Sequence, residues 1–406
     1  MIRRYDHMKA FVLTGAVLLL AGACGTEEDG DDAQDGANVT QEALEQRAYI
    51  VSKDSAELTI IDLKQLKVIG RVNTGGVGNH MAELTADFSQ AFVNSPDTDE
   101  SIVVDTRTQK VITKVPLAHH PTHLSISRDG KLFGVVEEDG NSVAFVDAKT
   151  ATVTKRVEGF QTPHFVRWSP DGRYAYVANV NAHFISQVDL ETFKITAEIP
   201  LDGIDPKSAA AMAPDENGFA DVQIDAEGVL HAADIGMGRV IRYDTMAREK
   251  LPELQVGPKP WIVYAEHPFD KVKVHAVPNW GDQTVSMIRG ARSKDVMTIK
   301  EASDQDSNGV NYTPLAPEKA FVMNRLREDI AVLNTETGEV TDRINVGGNT
   351  ETASTTPDGK WIVATVSSAN KVVVIDALSN KIIKTFENIG SYPWSVTIPK
   401  GQNYCH

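Results

Sequence analysis

The sequence has little cysteine and little net positive charge. Its two cysteines, Cys24 and Cys405, cannot supply a disulfide framework or a four-thiolate zinc or iron–sulfur site. The formal net charge of -16 leaves no general cationic surface for a phosphate backbone, so no nucleic-acid binding is expected. The nucleophile elbow, the phosphate-binding loop, the His-Glu-x-x-His helix and the dinucleotide fingerprint are all missing. Any metal must therefore be held by histidine and carboxylate groups.

The N-terminal residues have the pattern of an export signal. A positively charged start leads into 14 apolar or small residues, 10–23, which run directly into Cys24. This segment is shorter than the roughly 18 residues that a membrane-spanning helix needs. The pattern resembles a bacterial lipoprotein signal peptide, in which the cysteine is lipidated and becomes the mature N-terminus. We therefore predict a signal peptide over residues 1–23, lipidation of Cys24, and a location in the bacterial cell envelope, on the periplasmic or outer face.

An acidic segment separates this signal from the rest of the chain. Residues 25–46 contain eight acidic and no basic side chains, a composition typical of a solvated tether. Residues 1–23 carry a formal +2 and residues 24–46 carry -8, so -10 remains for residues 47–406. We predict a flexible tether over residues 24–46 and a single folded domain over residues 47–406.

From residue 47 onward the chain repeats a short strand that ends in Asp or Asn. The strand ends are Asp62, Asp105, Asp147, Asp189, Asp244, Asn334 and Asp376. Their spacings are 43, 42, 42, 55, 90 and 42 residues, and the spacing of 90 contains one degenerate copy at 286–289, which makes eight units. Similar turns at 127–130, 169–172 and 356–359 each join two alternating apolar segments. Each unit is therefore interpreted as four short antiparallel strands.

The length of the repeat predicts the fold. A four-stranded sheet of about 42 residues cannot bury both of its faces alone, so it must stack radially on copies of itself. We predict an all-β fold: a single β-propeller with eight four-stranded blades. Seven blades are the alternative, if residues 202–301 hold one distorted blade. The first unit lacks an inner strand, and we expect the C-terminal strand, residues 393–398, to supply it and close the ring.

Two segments carry a family resemblance. Residues 169–179 and 374–386 are similar to the YVTN class of bacterial propeller repeats, and the similarity extends over residues 47–400. That class includes envelope lipoproteins. Related propellers carry redox centres, among them nitrous oxide reductase and the haem domain of cytochrome cd-type nitrite reductase. The resemblance implies the fold, whereas function has to be argued from the site.

Six histidines are predicted to lie on one face of the propeller, around its channel. Three of them begin the inner strands of consecutive blades and three lie in neighbouring loops. Neutral imidazoles without thiolate suit a divalent transition metal, with copper first in the affinity order. Zinc and haem are the alternative cofactors. Asp221 and Glu351 could complete the coordination of the metal or fix the tautomer of a ligating histidine through a hydrogen bond. The predicted metal ligands are His80, His119, His120, His123, His164 and His183.

One stretch within this set has its own resemblance. Residues 119–125 are similar to the His-His-Pro-His-x-Ser segment of nitrous oxide reductase, with Thr122 inserted. That resemblance implies copper ligation by His119 and His120. The alternative is that these histidines are solvated or bond neighbouring carbonyls. We expect His231 and His275, in middle strands, to be structural, and we place His267 in a turn on the other face.

Aromatic and arginine side chains follow the equivalent positions of later blades. They predict a wall that binds a planar or anionic ligand. The alternative is that the tryptophans pack between blades. The predicted ligand-binding residues are Trp261, Trp280, Tyr312, Arg325, Arg327 and Trp394.

Two classes of function are consistent with these patterns. The first is a metal or redox centre at a histidine-lined channel mouth; if it is an enzyme, we expect a metal-dependent oxidoreductase with a small anionic substrate and a periplasmic electron-transfer partner. The second is a non-catalytic scaffold that binds a protein or a glycan. In either case we expect a monomer that is held to the membrane through its lipid anchor.

Overall fold

The computed structural model describes residues 39–404. The predicted signal peptide, Cys24 and Cys405 lie outside these residues. A short helix α1 (Gln41–Glu45) precedes the first strand; the Thr40 side chain accepts a hydrogen bond from the Ala43 amide, and Leu44 is fully buried. Residues 41–45, which the sequence assigned to the tether, therefore form a helix whose Leu44 side chain is buried. Within residues 39–404, none of the helices is long and apolar enough to cross a membrane.

The remainder of the described chain is almost entirely β-structure. In chain order the first strands are β1 (Arg47–Ser52), β2 (Glu57–Asp62), β3 (Lys67–Asn73), β4 (Ala82–Leu84), β5 (Gln90–Ser95), β6 (Glu100–Asp105), β7 (Lys110–Pro116), β8 (Pro121–Ile126), β9 (Leu132–Glu137), β10 (Ser142–Asp147), β11 (Thr152–Glu158), β12 (Pro163–Trp168), β13 (Tyr174–Asn179), β14 (Phe184–Asp189) and β15 (Lys194–Pro200).

The strands that follow are β16 (Gln223–Ile224), β17 (Val229–Asp234), β18 (Arg239–Asp244), β19 (Glu249–Gln255), β20 (Val274–Asn279), β21 (Thr284–Arg289), β22 (Val296–Ile299), β23 (Ser307–Tyr312), β24 (Lys319–Asn324), β25 (Asp329–Asn334), β26 (Glu339–Asn345), β27 (Thr350–Thr355), β28 (Trp361–Val366), β29 (Lys371–Asp376), β30 (Lys381–Phe386), β31 (Pro393–Thr397) and β32 (Gln402–Asn403). Single 3-10 turns lie at Pro96–Thr98, Ala209–Ala211 and Ser367–Ala369.

These strands form eight antiparallel sheets, and the predicted eight-bladed β-propeller is confirmed. The inner and middle strands are buried on both faces because each sheet packs against the next; Phe92 of blade two, for example, contacts Phe133 of blade three with ring centroids 4.3 Å apart. Outer strands such as β11 are exposed at most positions. We call the end of the channel at which the inner strands begin the upper face, and the opposite end the lower face.

The C-terminal strand closes the ring as predicted. Strand β31 pairs with β1, with Ile50 opposite Val396, and it becomes the inner strand of blade one. The chain then continues to β32, which pairs with β27 on the inner edge of blade eight. The sequence did not predict this last strand. The C-terminus is therefore bonded to two blades.

Residues 202–301 contain two blades, which excludes the seven-bladed alternative. The fifth sheet is complete, whereas the sixth has only β20, β21 and β22. Its inner segment is reduced to two bridges, Pro260 to Asn279 and Tyr264 to Ala276. Prolines 258, 260 and 268 lie in this segment and cannot donate ladder hydrogen bonds. The inner edge of blade six is thus the least regular in the described ring.

The turns at the lower face share one hydrogen bond. In four blades a Ser or Thr oxygen accepts from the amide that begins the second strand: Thr85 from Gln90, Ser127 from Leu132, Ser169 from Tyr174 and Thr356 from Trp361, at 2.9 to 3.1 Å. The last three of these turns contain a glycine with positive φ, such as Gly172 at 68°, where a side chain would be strained. These turns join the inner strand to the second strand of a blade, and the sequence predicted that each joins two alternating apolar segments.

Candidate metal centre

Three histidine rings lie side by side at the upper end of the channel. His80 lies just before β4, His123 in β8 and His164 in β12, and each is at most 8% exposed. The ring centroids of His80 and His123 are 4.6 Å apart, and those of His123 and His164 are 4.3 Å apart. The structure therefore brings the three inner-strand histidines together.

The three histidines do not all occupy equivalent positions in their strands, although the sequence predicted that each begins an inner strand. Pro121 and Pro163 each pair with the last residue of the following strand. His164 follows its proline directly, whereas His123 is the second residue after Pro121. Both strands shift register at this point, and such irregularities redirect side chains. The cluster therefore depends on local strand geometry that the repeat pattern does not encode.

A carboxylate that the sequence analysis missed completes the group. Glu137 ends β9 and is bonded by Arg156 at 2.7 and 2.9 Å. The next residue, Glu138, lies with Oε1 3.8 Å from His123 Nδ1 and 3.9 Å from His164 Nε2. One potential ligand atom from each of His123, Glu138 and His164 lies within 4.8 Å of the other two. The available signal was the run of three acidic residues, 137–139, at the end of β9.

Hydrogen bonds fix the tautomers of two of these rings. His164 Nδ1 lies 2.7 Å from the carbonyl oxygen of Ala220, which can only accept, so Nδ1 carries the proton. The Thr122 hydroxyl donates to Glu138 and must therefore accept from His123 Nδ1, 3.1 Å away. His164 therefore keeps a lone pair on Nε2, the atom that lies 3.9 Å from Glu138 Oε1. His123 carries its proton on Nδ1, the atom that lies 3.8 Å from Glu138 Oε1, so it would bind a metal through that atom only after the proton moves to Nε2.

Burial sets the protonation states of the group. It lowers the pKa of His123 to about 4, with help from the charge of His164, and it lowers the pKa of His80 well below the usual value. Burial alone would raise the pKa of Glu138, but the hydrogen bond with His123 and the charges of both histidines outweigh it and hold that pKa near 2. Near pH 7, the His80 and His123 imidazoles are thus neutral and the Glu138 carboxylate is ionised.

The other three predicted histidines do not join this group. His119 is exposed, and His120 has its backbone amide on Asp99 Oδ1 at 2.8 Å. Both residues have positive φ, 49° and 64°, in the loop beside the cluster. His183 lies between blades four and five, where its Nδ1 is 2.7 Å from Asp234 Oδ2. The Asp234 carboxylate is thus the partner of His183, and this pair is separate from the three-histidine group.

The predicted supporting carboxylates have other partners. Asp221 accepts from Gln223, and its Oδ2 lies 4.0 Å from Arg167 Nη2. Burial raises its pKa to about 6, against the opposing effect of Arg167. Glu351 is fully buried, is bonded by Arg325 and accepts from the Tyr392 hydroxyl at 2.8 Å. The backbone carbonyl of residue 220, rather than Asp221, orients His164.

Arg325 and Arg327 do not form a pair of spare cations at the channel. Arg325 contacts Glu351 and lies 2.9 Å from Asp306, so two carboxylates compensate its charge. Arg327 is exposed and donates to the carbonyl of Glu301 at 3.0 Å. The charge of Arg325 is therefore not available to an anionic ligand, whereas Arg327 keeps its charge in an exposed position.

The aromatic residues divide into two groups. Trp394 lies 5.4 Å from His80 and Trp261 6.3 Å from His164 between ring centroids, so the two indoles flank the histidines. Both indole nitrogens are buried without a hydrogen-bond partner among the described residues. Trp261 also stacks on Trp280 at 4.2 Å. Tyr312 is different, because its hydroxyl already accepts from Ala276 and donates to a carbonyl.

Tyr312 also lies at the end of its strand that is far from the upper face of the channel. The inner strand of blade seven begins at Ser307, and Tyr312 is its last residue. The sequence analysis placed Tyr312 at a position equivalent to the starts of the earlier inner strands, because blade seven has no proline or histidine to mark the start. Tyr312 is thus part of the buried core.

The lower end of the channel holds charged groups around a cavity of about 550 Å³. Glu83, Arg167, Glu266, His267 and Tyr404 contribute to its wall. Arg167 Nε lies 2.6 Å from Glu266 Oε2, and burial raises the pKa of Glu83 to about 7. This cavity does not include the three histidines.

Replacing His123 with Gln is expected to change the pH dependence of stability in metal-free protein. The imidazole titrates near 6.5 when unfolded and near 4 when folded, so the unfolded state binds more protons between those values. Wild type therefore loses stability as pH falls through this window, by at most about 3 kcal/mol from this group. Glutamine does not titrate, so the variant should lack that loss.

Denaturant unfolding at pH 7.5 and 4.5 with a chelator measures this difference. Glu83 and Asp221 act in the opposite sense, because their pKa values are raised, but both are present in the two proteins and cancel in the comparison. Replacement of the exposed His119 with Gln is the control. Equal pH dependence in wild type and the His123 variant would contradict the buried neutral imidazole.

The chain is therefore an eight-bladed β-propeller with a histidine–carboxylate group at the upper end of its channel. A family model described as YNCE-like beta-propeller matches residues 79–199. Comparison with curated protein sequences gave no match.

Solved structures share the fold at low identity. A dihydro-heme d1 dehydrogenase, NirN, in complex with DHE has a TM-score of 0.72 at 16% identity, over 88% of this chain and 76% of that one. Apo AztD from Citrobacter koseri has a TM-score of 0.64 at 13% identity, over 86% and 96%. BamB from Moraxella catarrhalis has a TM-score of 0.56 at 13% identity, over 84% and 90%. At these identities the likeness shows the fold alone.

Proposed function

We propose that this protein binds a divalent transition-metal ion at the upper end of its channel through His123, His164 and Glu138. The observation that carries the proposal is the convergence of their ligand atoms within 4.8 Å of one another. The rings are buried, and hydrogen bonds of their Nδ1 atoms orient them. His123 is neutral and Glu138 is ionised near pH 7, so these two groups need not lose a net proton before they bind a metal.

The spacing of the donors fits a metal ion after small rotations. Atoms no more than 4.8 Å apart share a point within about 2.8 Å of each, compared with ligand distances of about 2.0–2.1 Å for zinc. Side-chain rotations that move each donor atom by less than about 1 Å would bring all three to the zinc ligand distance. His80 adjoins His123 and is the nearest further imidazole.

Zinc is our first candidate for the metal. The sequence favoured copper because six imidazoles formed an all-nitrogen set, but Glu138 adds a hard oxygen donor. Two histidines with one glutamate is a common ligand set for zinc with an open position, although copper leads the general affinity order. Zinc has no redox chemistry, so we do not propose an oxidoreductase. A haem is also not proposed, because Arg325 is already compensated by two carboxylates.

We further propose, from the signal-peptide pattern and Cys24, that the protein binds this metal in the cell envelope. Three protein ligands leave a coordination position for water or an incoming group. Trp261 and Trp394 flank the histidines and would restrict the access of water. Metal binding or metal transfer outside the cytoplasm is the function that these residues support best.

Metal analysis of full-length protein tests the proposal. Protein without a polyhistidine tag, purified from an exporting host, is expected to contain zinc at the upper site. Replacement of both His123 and His164 with Ala should remove one equivalent of metal relative to wild type. The matched control replaces His119 and His120, which lie in the adjacent loop outside the donor group, and should retain the wild-type content.

Three results of the same metal analysis would contradict the proposal, in whole or in part. Copper in place of zinc would restore the sequence prediction of a copper centre and reopen redox chemistry. Full metal content in the His123/His164 double variant would eliminate this site. Wild-type protein without metal, even after incubation with zinc, would favour the non-catalytic binding scaffold.

A further inference from the structure

We infer that Asp225, His231 and His275 form a second metal site, at the lower face between blades five and six. The sequence analysis treated both histidines as structural residues of middle strands. His231 lies in β17 of blade five and His275 in β20 of blade six, while Asp225 lies in the turn between β16 and β17. One potential ligand atom from each lies within 4.8 Å of the other two.

The turn that carries Asp225 differs from the other lower-face turns. Its Oδ1 accepts from the Val229 amide at 3.0 Å, which is the bond that Ser127, Ser169 and Thr356 make in their blades. A serine or threonine hydroxyl would accept this hydrogen bond equally well. The carboxylate supplies a second oxygen, and that oxygen is directed to the two histidines.

The second carboxylate oxygen of Asp225 faces both imidazole rings. Its Oδ2 lies 2.8 Å from His231 Nε2 and 3.5 Å from His275 Nε2, and the ring centroids are 4.7 Å apart. Ligands of a tetrahedral zinc ion at about 2.0–2.1 Å are separated by about 3.3 Å. The two separations from Asp225 Oδ2, 2.8 and 3.5 Å, lie on either side of this value and are shorter than the 3.8 and 3.9 Å of the upper site.

Burial makes an ordinary polar role for His275 costly. All three residues are less than 9% exposed. Nδ1 of both histidines has no hydrogen-bond partner among the described residues, and His275 Nε2 makes only the long 3.5 Å contact with Asp225. Buried polar atoms that are poorly paired destabilise a protein, and a bound cation would give His275 Nε2 a strong partner. Two imidazoles and one carboxylate, without thiolate, favour zinc here as well.

The position gives the metal a structural role. Blade six has the least regular inner edge, with two isolated bridges at Pro260 and Tyr264 instead of a strand. A metal held by Asp225, His231 and His275 would join blades five and six at this point. We expect it to stabilise the ring rather than to act on a substrate.

Cobalt binding in the full chain with the upper site removed tests this inference. In the His123→Ala/His164→Ala background, Co²⁺ is expected to bind at about one equivalent and give the visible absorption of a tetrahedral site. Zinc at a hundredfold excess over its dissociation constant should raise the melting temperature by roughly 3 °C. Adding His275→Gln should abolish both effects, while far-UV circular dichroism should show that the metal-free variant is folded.

His183→Gln is the matched control in the same background. It removes a buried histidine bonded to Asp234, but that pair has no second imidazole, so cobalt binding should not change. If His275→Gln does not fold, Asp225→Asn replaces it, because the amide oxygen can still accept from Val229. A background protein that binds no cobalt, or a His275 or Asp225 variant that retains the spectrum and the zinc shift, would overturn the inference. Both outcomes are independent of whether the upper site binds metal.

Discussion

Deletion of residues 391–406 is expected to prevent formation of a stable monomer. The deletion removes β31, so β1 loses its inner neighbour and blade one gains an open edge. It also removes the buried side chains of Trp394, Val396 and Ile398. Each such side chain contributes about 1.5–3 kcal/mol, so their sum approaches the total stability of about 5–15 kcal/mol that a native protein has. Size-exclusion chromatography and thermal unfolding should show aggregation or a strongly lowered melting temperature.

A shorter deletion separates the contributions within this segment. Removing residues 399–406 deletes β32 and its bonds to blade eight but leaves β31 in place, so we expect an intermediate loss. A protein lacking residues 391–406 that stays monomeric and melts like wild type would contradict closure by β31.

The repeat spacing was sufficient to predict the architecture. A four-stranded unit has one stable way to bury both faces, so spacing and turn pattern alone predicted eight blades and the closing strand. The irregular inner edge of blade six and strand β32 were not predictable in this way. Prolines interrupt the first, and the second is too short to produce a periodic pattern.

The site was predicted less completely, for physical reasons. His80, His123 and His164 were found because they begin neighbouring inner strands, but their contact depends on a register shift that no spacing reveals. Glu138 was missed because the sequence alone does not show which of two adjacent acidic residues faces the histidines. Glu137, one residue earlier, pairs with Arg156 instead.

The arginine and the lower cluster show a second limit of sequence reasoning. Arg325 was predicted to bind a ligand, yet its charge is used by Glu351 and Asp306. His231 and His275 were predicted to be structural, yet they converge on one carboxylate. Partners of buried charges come from other blades, so only three-dimensional contacts identify them.

Arg325→Ala is expected to destabilise the protein strongly, whereas Arg327→Ala should have little effect. Arg325 is 7% exposed and contacts Glu351, which is fully buried. Removing one member of a buried ion pair leaves an uncompensated charge and costs about 3–5 kcal/mol. Arg327 is exposed and makes one side-chain bond to a carbonyl, so its loss should cost at most about 0.5 kcal/mol. Denaturant unfolding of both variants measures the difference.

The pH dependence of the Arg325 variant identifies the cause. Burial raises the pKa of Glu351 even with Arg325 present, and without that cation the folded state should favour the protonated acid more strongly. The penalty should therefore be full near pH 7 and should decrease as the pH falls toward the unfolded value of about 4.5. Adding Glu351→Gln removes the buried charge and should recover part of the lost stability at pH 7. An Arg325→Ala protein as stable as wild type at pH 7, or a loss that does not depend on pH, would show that Arg325 serves another purpose than compensating Glu351.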